Sequence, residues 1–303
     1  MRSVEPTRIA TPGAPARPFA GYLFDLDGTI YLGDQLLPGA REVIDAIRVA
    51  GRKLLFLSNN PTRDAEQYVS KLGAMGIAVE AREILNTVTT MTDWLRRFHP
   101  GATVFPIGEE PLKRALVNGG IRISEKPAEI DIVIASYDRG FDYRKLQIAF
   151  DAIHVHKQAR LVTTNPDRFC PFPGGRGEPD AAAIVGAIEG CTGIRCEQNV
   201  GKPDPFMIEA ALARLKLPGS ECLLVGDRLA TDIRMANAAG MPSALVLTGE
   251  TTMEMLSDHP EADYPTWILR RIDELLPSLQ RDRPDVREAD HRGGKETDAG
   301  TIR

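Results

Sequence analysis

Short apolar runs recur along the chain, each closed by a polar residue or glycine and each followed by a stretch of helical periodicity. Residues 20–25 (A-G-Y-L-F-D) predict a buried strand that ends in an acid. Residues 39–50 then place Val43, Ile44, Ile47 and Ala50 at helical spacing, and Gly51 closes that helix. A second buried strand is predicted at 53–58 (K-L-L-F-L-S), followed by a turn at Asn59-Asn60-Pro61 and a helix from about residue 63 to 75. Far downstream the alternation returns: a helix at about 205–215, a strand at 221–226, a helix at about 231–239 and a strand at 243–247. Strands alternating with helices in this way imply an α/β fold with a parallel, doubly wound sheet and right-handed crossovers.

The middle of the chain has its own alternation. Strands are predicted at 103–107, 130–135 and 160–164, and helices at about 109–118, 143–156 and 180–189. A patterned stretch of this length is no loop, so it reads as an inserted α/β domain. The predicted organisation is a Rossmann-like parallel-sheet core from 18–85 and 200–275, split by an insertion at 86–199. Both ends read as tails. Residues 1–17, next to a fourth proline at Pro18 after Pro6, Pro12 and Pro15, and the polar run 280–303 have little to bury, which predicts disorder.

Composition narrows the function classes. With 303 residues, 43% of them apolar and 26% charged, the chain has the material for a large core or two ordinary ones. Basic residues number 37 against 42 acidic, a net charge of −5, which gives no reason to expect nucleic acid or an anionic membrane as partner. No apolar run approaches the roughly 20 residues of a membrane helix. The first 18 residues lack the apolar segment of a secretory signal, and a cytoplasmic location is expected. Cys170, Cys191, Cys196 and Cys222 form no C-x-x-C pair, so they read as reduced thiols.

Candidate chemistry gathers at predicted strand ends, where ligands bind in an open parallel sheet. Asp25-Leu26-Asp27-Gly28-Thr29 closes the first strand, and its two acids stand two residues apart on extended backbone, so both can face one way. Like charges that close repel unless a cation or a shared proton relieves them. Alone, the pair also fits a capped turn with Gly28 supplying an unusual φ. Three further segments add to it. Ser58-Asn59-Asn60 offers a hydroxyl and a backbone N–H group, Gly201-Lys202-Pro203 a lysine before a helix, and Gly226-Asp227-Arg228 another strand-end acid with Asp232 five residues on. Gly174-Gly175-Arg176-Gly177 lacks the G-K-[ST] ending of a phosphate loop and reads as a connecting loop.

In order, D-L-D-G-T, S-N-N, G-K-P-D-P and G-D-R-L-A-T-D-I resemble the four motifs of the haloacid dehalogenase superfamily of phosphohydrolases, in its NagD-type, C2-capped branch. The insertion between the second and third motifs matches the cap of that branch, and its T-N-P-D-R segment and late A-L-V-L-T-G strand are similar to AraL-type sugar phosphatases. The resemblance implies a phosphatase of small phosphorylated metabolites, sugar or polyol phosphates in particular, working through an aspartyl-phosphate on Asp25 with Asp27 as general acid and base. It further implies Mg²⁺ held by Asp25, the Asp27 carbonyl and Asp227, phosphoryl contacts from Ser58, Asn59 and Lys202, and a supporting hydrogen bond from Asp232. Asn165, Asp167 and Arg168 of the cap are the candidate substrate contacts, suited to hydroxyls. Two positions depart from the pattern: Ala230 stands where many relatives carry an acid, and Asp180 where many carry glycine. A homodimer formed through the cap is compatible with the resemblance. Two alternatives stay open: a phosphatase of the same type acting on a nucleotide, phosphoglycolate or pyridoxal phosphate, and a non-catalytic phosphate-binding regulator, which would have no use for an acid/base at Asp27.

Overall fold

A computed structural model describes residues 11–172 and 176–281 of the chain. It begins with β1 (Thr11–Pro12), β2 (Gly21–Asp25), β3 (Tyr31–Leu32), β4 (Gln35–Leu36), α1 (Ala40–Val49), β5 (Lys53–Ser58), α2 (Ala65–Ala74) and β6 (Ile84–Asn86). The middle supplies α3 (Thr87–Phe98), β7 (Thr103–Ile107), α4 (Glu110–Asn118), β8 (Arg122–Ile123), β9 (Ile132–Ala135) and α5 (Tyr143–Phe150). It continues through β10 (Arg160–Thr163), β11 (Phe169–Phe172), β12 (Arg176–Pro179), α6 (Ala181–Thr192) and β13 (Gln198–Asn199). The last third adds α7 (Pro205–Leu215), β14 (Cys222–Gly226), α8 (Arg234–Ala238), β15 (Ser243–Val246), α9 (Met253–Ser257), β16 (Trp267–Leu269) and α10 (Leu276–Gln280).

Twelve of these strands form two parallel sheets, and β3-β4 and β11-β12 pair as antiparallel hairpins. The first has the order β1-β16-β15-β14-β2-β5-β6, and the second, built within the insertion, the order β13-β10-β9-β7-β8. Parallel neighbours need crossovers, so helices cover both faces and the central strands are buried throughout. β2 shows the division: Tyr22 and Phe24 pack with Val43, Ile44 and Ile47 of α1, while Leu23 turns to the other face against Met207 and Ala211 of α7. In the second sheet Val133 and Ala135 meet Ile148, Ile184 and Ile188, whereas Ile132 and Ile134 meet Leu112, Leu116, Met91 and Leu95. Each sheet therefore has its own pair of apolar layers, and the second stands as a cap inserted into the first.

Four features go beyond or against the sequence expectation. Thr11 and Pro12 pair with Trp267 and Ile268 as an edge strand, and Ala14 packs on the core, so the expected disordered tail at 1–17 is incorrect for residues 11–17. Residues 1–10 and 282–303 lie outside the described residues, and with them the rest of both tail expectations. Residues 87–98 form α3 although their four threonines are β-branched and disfavour helix. The helix starts because the Asn86 side chain caps it, accepting from the Thr89 N–H at 3.1 Å, and because Met91, Trp94 and Leu95 are buried. Finally, the helices expected at 143–156 and 231–239 are each part π-helical, at Asp151–Val155 and Leu229–Ile233. Among the described residues no helix is long and apolar enough to cross a membrane.

Candidate active site

The carboxyl ends of β2, β5 and β14 deliver Asp25, Ser58 and Gly226-Asp227 to one crevice, because the three strands are parallel neighbours in register. The loop before α7 adds Lys202, and the π-helical turn after β14 adds Asp232. Lys202 is 2% exposed and its ammonium bridges two carboxylates: it contacts Asp25 Oδ1 and lies 2.8 Å from Asp232 Oδ1. Asp25, Asp227 and Asp232 each turn an oxygen toward one point, the three within 4.8 Å of one another. Asp27 stands off from that cluster, lining the cleft with one oxygen bound by the Tyr31 hydroxyl at 3.0 Å. The Ser58 hydroxyl faces the same cleft, 2.8 Å from the Tyr68 hydroxyl, and accepts from the Asn60 N–H at 3.1 Å.

Asn59 has a different place from the one expected of a phosphate ligand. Its amide side chain is spent on the Lys202 backbone, accepting from the N–H at 2.7 Å and donating to the carbonyl at 3.0 Å. It thereby fixes the loop that carries the lysine. The backbone N–H of this turn remains the group suited to a phosphoryl oxygen.

Burial sets the electrostatics. Asp25 is held well above the usual carboxylate range by desolvation, which the Lys202 charge opposes and the Asp232 and Asp227 charges reinforce. Asp227 is pushed up to about 7, again by burial first and by Asp232 second. For Lys202 burial works downward, but Asp232 and Asp25 outweigh it, so the ammonium stays charged. Three buried acids against one lysine is a donor set of hard oxygens short of positive charge. Asp227 Oδ2 accepts from the Glu250 N–H at 2.7 Å, while its Oδ1 is buried with no hydrogen-bond partner among the described residues. An orphaned carboxylate oxygen facing two further acids fits a divalent cation.

Two glycines hold Asp227 in place by having no side chain. A Cβ on Gly249 would lie 1.9 Å from Asp227 Oδ2, and one on Gly28 would lie 2.5 Å from the same oxygen. Gly28 also has φ +88°, a conformation that other residues adopt only under strain.

The cap sets Asp167 against core groups of the cleft. Asp167 accepts from Asn59 Nδ2 at 3.2 Å and lies 3.4 Å from Arg228 Nη1, both core groups, and from Asn165 Nδ2 at 3.1 Å. Asn165 is fully buried and also donates to Asp180 at 3.0 Å, so it orients two cap acids and does not line the cleft. Arg168 is exposed and lies off the cleft as well. Both are corrected as substrate contacts; of the three cap residues expected, only Asp167 reaches the site.

The residues thus assembled match two segments of known families, a haloacid dehalogenase-like hydrolase over residues 22–122 and a HAD-hydrolase-like segment over 199–275. The sugar-phosphatase AraL of Bacillus subtilis is 36% identical over 241 residues, 80% of this chain and 87% of that one. The chain belongs to the haloacid dehalogenase-like hydrolases. Within them it is a NagD-type phosphatase, with the cap lying between the two matched segments. The 4-nitrophenylphosphatase structure from Thermotoga maritima has a TM-score of 0.81 at 31% identity, covering 86% of this chain and 98% of that one. A glycerol phosphate phosphatase from Mycobacterium tuberculosis, solved in complex with magnesium, has a TM-score of 0.78 at 29% identity, covering 86% and 77%.

In this haloacid dehalogenase-like hydrolase, several site residues carry no signal that sequence reading alone picks out. Asp180, expected only as a departure from the family pattern, lines the cleft, caps α6 and is pushed up to about 6 by burial. Arg228 adjoins Asp227 and pairs with Asp167 and with Glu250 at 3.1 Å. Phe169 and Cys170 of the cap hairpin line the cleft too, the Cys170 thiol pushed up to about 12 by burial. Gly249 is invisible without coordinates, since only its distance to Asp227 gives it meaning.

Two outcomes test this geometry. Gly249→Ala should displace the Asp227 carboxylate and raise the Mg²⁺ concentration for half-maximal phosphatase activity about tenfold or more, since ångström shifts of such ligands are costly. An unchanged Mg²⁺ titration would remove Asp227 from the cation site. The second concerns pH. A raised folded-state pKa means that the fold binds protons more tightly than the unfolded chain, so these acids favour the fold at low pH and cost stability as pH rises through about 7. Mg²⁺ bound among these acids would relieve that repulsion and compete with protons, so its stabilisation in thermal melts should be larger at about pH 8 than at about pH 5.5. A pH-independent Mg²⁺ shift would contradict the assignment.

Proposed function

We propose that the protein is a Mg²⁺-dependent phosphatase of sugar or polyol phosphates that works through an aspartyl-phosphate on Asp25. The observation that carries this reading is the buried Asp25, held by Lys202 at the mouth of a strand beside two further acids. A carboxylate is a competent nucleophile toward phosphorus once its charge and that of the phosphate are offset. Asp25 and Asp227, with the Asp27 carbonyl, would hold Mg²⁺, which when bound supplies charge neutralisation of the phosphoryl group. Lys202 and the Ser58 hydroxyl would hold the phosphoryl oxygens, and Asp232 keeps the ammonium aimed at Asp25. Asp27 would protonate the leaving oxygen, then take the proton of the water that attacks phosphorus to release Asp25.

The core groups touch only the phosphoryl end, so selection among esters falls to the cap. Asp167 is the cap group that meets core residues across the cleft, and its contacts to Asn59 and Arg228 are long enough for a hydroxyl to share. A carboxylate acceptor there suits a hydroxylated leaving group. AraL and the glycerol phosphate phosphatase carry names of that class, which supports sugar or polyol phosphates over nucleotides.

Asp25→Asn should keep the fold and lose phosphate release from any monoester by about a thousandfold or more, because the amide has no nucleophilic charge. Undiminished release by this variant, or by wild type in excess chelator, would end the assignment. Asp167→Ala separates the cap contact from the chemistry: KM for sugar phosphates should rise about tenfold while p-nitrophenyl phosphate hydrolysis changes little. Equal loss of both would assign Asp167 to cap closure alone.

A further inference from the structure

Asp27 has two carboxylate oxygens but, as the proposed general acid and base, needs only one of them at the leaving group. The other is occupied. Tyr31, in the short hairpin of β3 and β4, is completely buried and donates its phenolic O–H to Asp27 Oδ2 at 3.0 Å. The chain between the two residues is tied as well: the Gly28 N–H donates to the Tyr31 carbonyl at 2.7 Å and the Tyr31 N–H to the Leu26 carbonyl at 3.2 Å. Tyr31 cannot move without moving the turn on which Asp27 sits. Behind the ring, the Lys71 ammonium of α2 lies 3.7 Å from its centroid. A cation on that face draws electron density from the ring and strengthens the hydroxyl as a donor. Among the described residues Lys71 makes no close ion pair, and its charge acts on this ring and, at longer range, on Asp27 and Asp34.

We propose that Tyr31, backed by Lys71, is a positioning residue that fixes the Asp27 side chain with its free oxygen toward the leaving group. The proposal rests on the acid/base reading of Asp27. Without the phenolic donor the carboxylate can rotate about its side-chain torsions, and proton transfer requires one defined heavy-atom approach. Nothing in this arrangement touches the phosphoryl group, so binding is left alone and the chemical step is affected. The effect must also depend on how much the leaving oxygen needs a proton. An alkyl phosphate needs it; a nitrophenolate leaves nearly unaided.

The test is single-turnover phosphorylation with glycerol phosphate and with p-nitrophenyl phosphate, using wild type, Tyr31→Phe, Asp27→Asn and the double variant. Tyr31→Phe keeps the ring, its packing and the lysine, and thermal melts verify its fold. The expected result is about a tenfold fall for the alkyl ester with KM within about twofold, and little change for the aryl ester. In the Asp27→Asn background Tyr31→Phe should cost nothing more, since the group it serves is gone. Lys71→Met should give a smaller loss with the same preference for the alkyl ester. Equal losses on both esters, or a full additional loss in the Asp27→Asn background, would overturn the positioning role while leaving Asp27 as acid and base. If Asp27→Asn itself phosphorylates with the alkyl ester at the wild-type rate, the reading of Asp27 falls, and the proposal with it.

Discussion

Three buried carboxylates and one buried lysine at the ends of β2 and β14 are the constraint around which the rest is arranged. Burying one uncompensated charge is costly, and burying three acids together is costlier. The fold tolerates them because each is held from outside the cluster. Lys202 spans Asp25 and Asp232, the Glu250 N–H takes one oxygen of Asp227, and the Arg228 N–H donates to Asp232 at 3.2 Å. The glycines at 28 and 249 leave the room that such close approach needs. Replacing any of these partners by bulk would push the acids apart, and the cation site is defined only while they converge.

The same pressure explains how the cap is coupled to the core. Asn59 connects the two: one amide fixes the Lys202 backbone and reaches Asp167 of the cap. Arg228, which follows Asp227 directly, meets Asp167 from the other side. The lysine that contacts Asp25 and the carboxylate that covers the cleft therefore share a hydrogen-bonding neighbour. Movement of the cap away from the core would break contacts at Asn59 and Arg228, which adjoin Ser58 and Asp227 of the cleft. Opening and the state of the site are linked through these two residues.

Much of this was legible in the sequence, for a physical reason. Buried parallel strands are continuous apolar runs, so 20–25, 53–58 and 221–226 announce both a strand and the residue at its end. Strand ends in such a sheet are where ligands sit, which is why Asp25, Ser58 and Asp227 could be named in advance. What was not legible depends on tertiary contact. The α3 helix contradicts its own threonines and exists because Trp94 and Leu95 are buried under the cap sheet. The edge strand at Thr11 and Pro12 has no apolar pattern and is defined by its pairing with β16. Asn165 was read as a ligand group because an amide in a turn has donors to offer, and Asn59 for the backbone N–H of its turn, but burial turned both side-chain amides inward. Sequence identifies a polar group near a site and leaves open whether it faces ligand or protein.

Charge arithmetic connects the stability of the site to its use. Asp25, Asp227 and Asp232 bring three negative charges when ionised, and Lys202 returns one. The Arg228 guanidinium is paired with Asp167 and Glu250, and its charge also acts on Asp227 from outside the cluster. About two negative charges remain, which a divalent cation balances. Burial first and the neighbouring acids second raise Asp25 and Asp227, so that protons can take the place a cation would fill. A site already neutral when loaded can admit a phosphoryl dianion, whereas the same acids without a cation would repel it. Lys202, a compact ammonium that can bridge two carboxylates, suits this cluster better than a planar guanidinium spread over a wider fork. The arrangement that costs the fold stability when its acids are ionised is therefore the one that would favour a cation and, after it, a phosphoryl group.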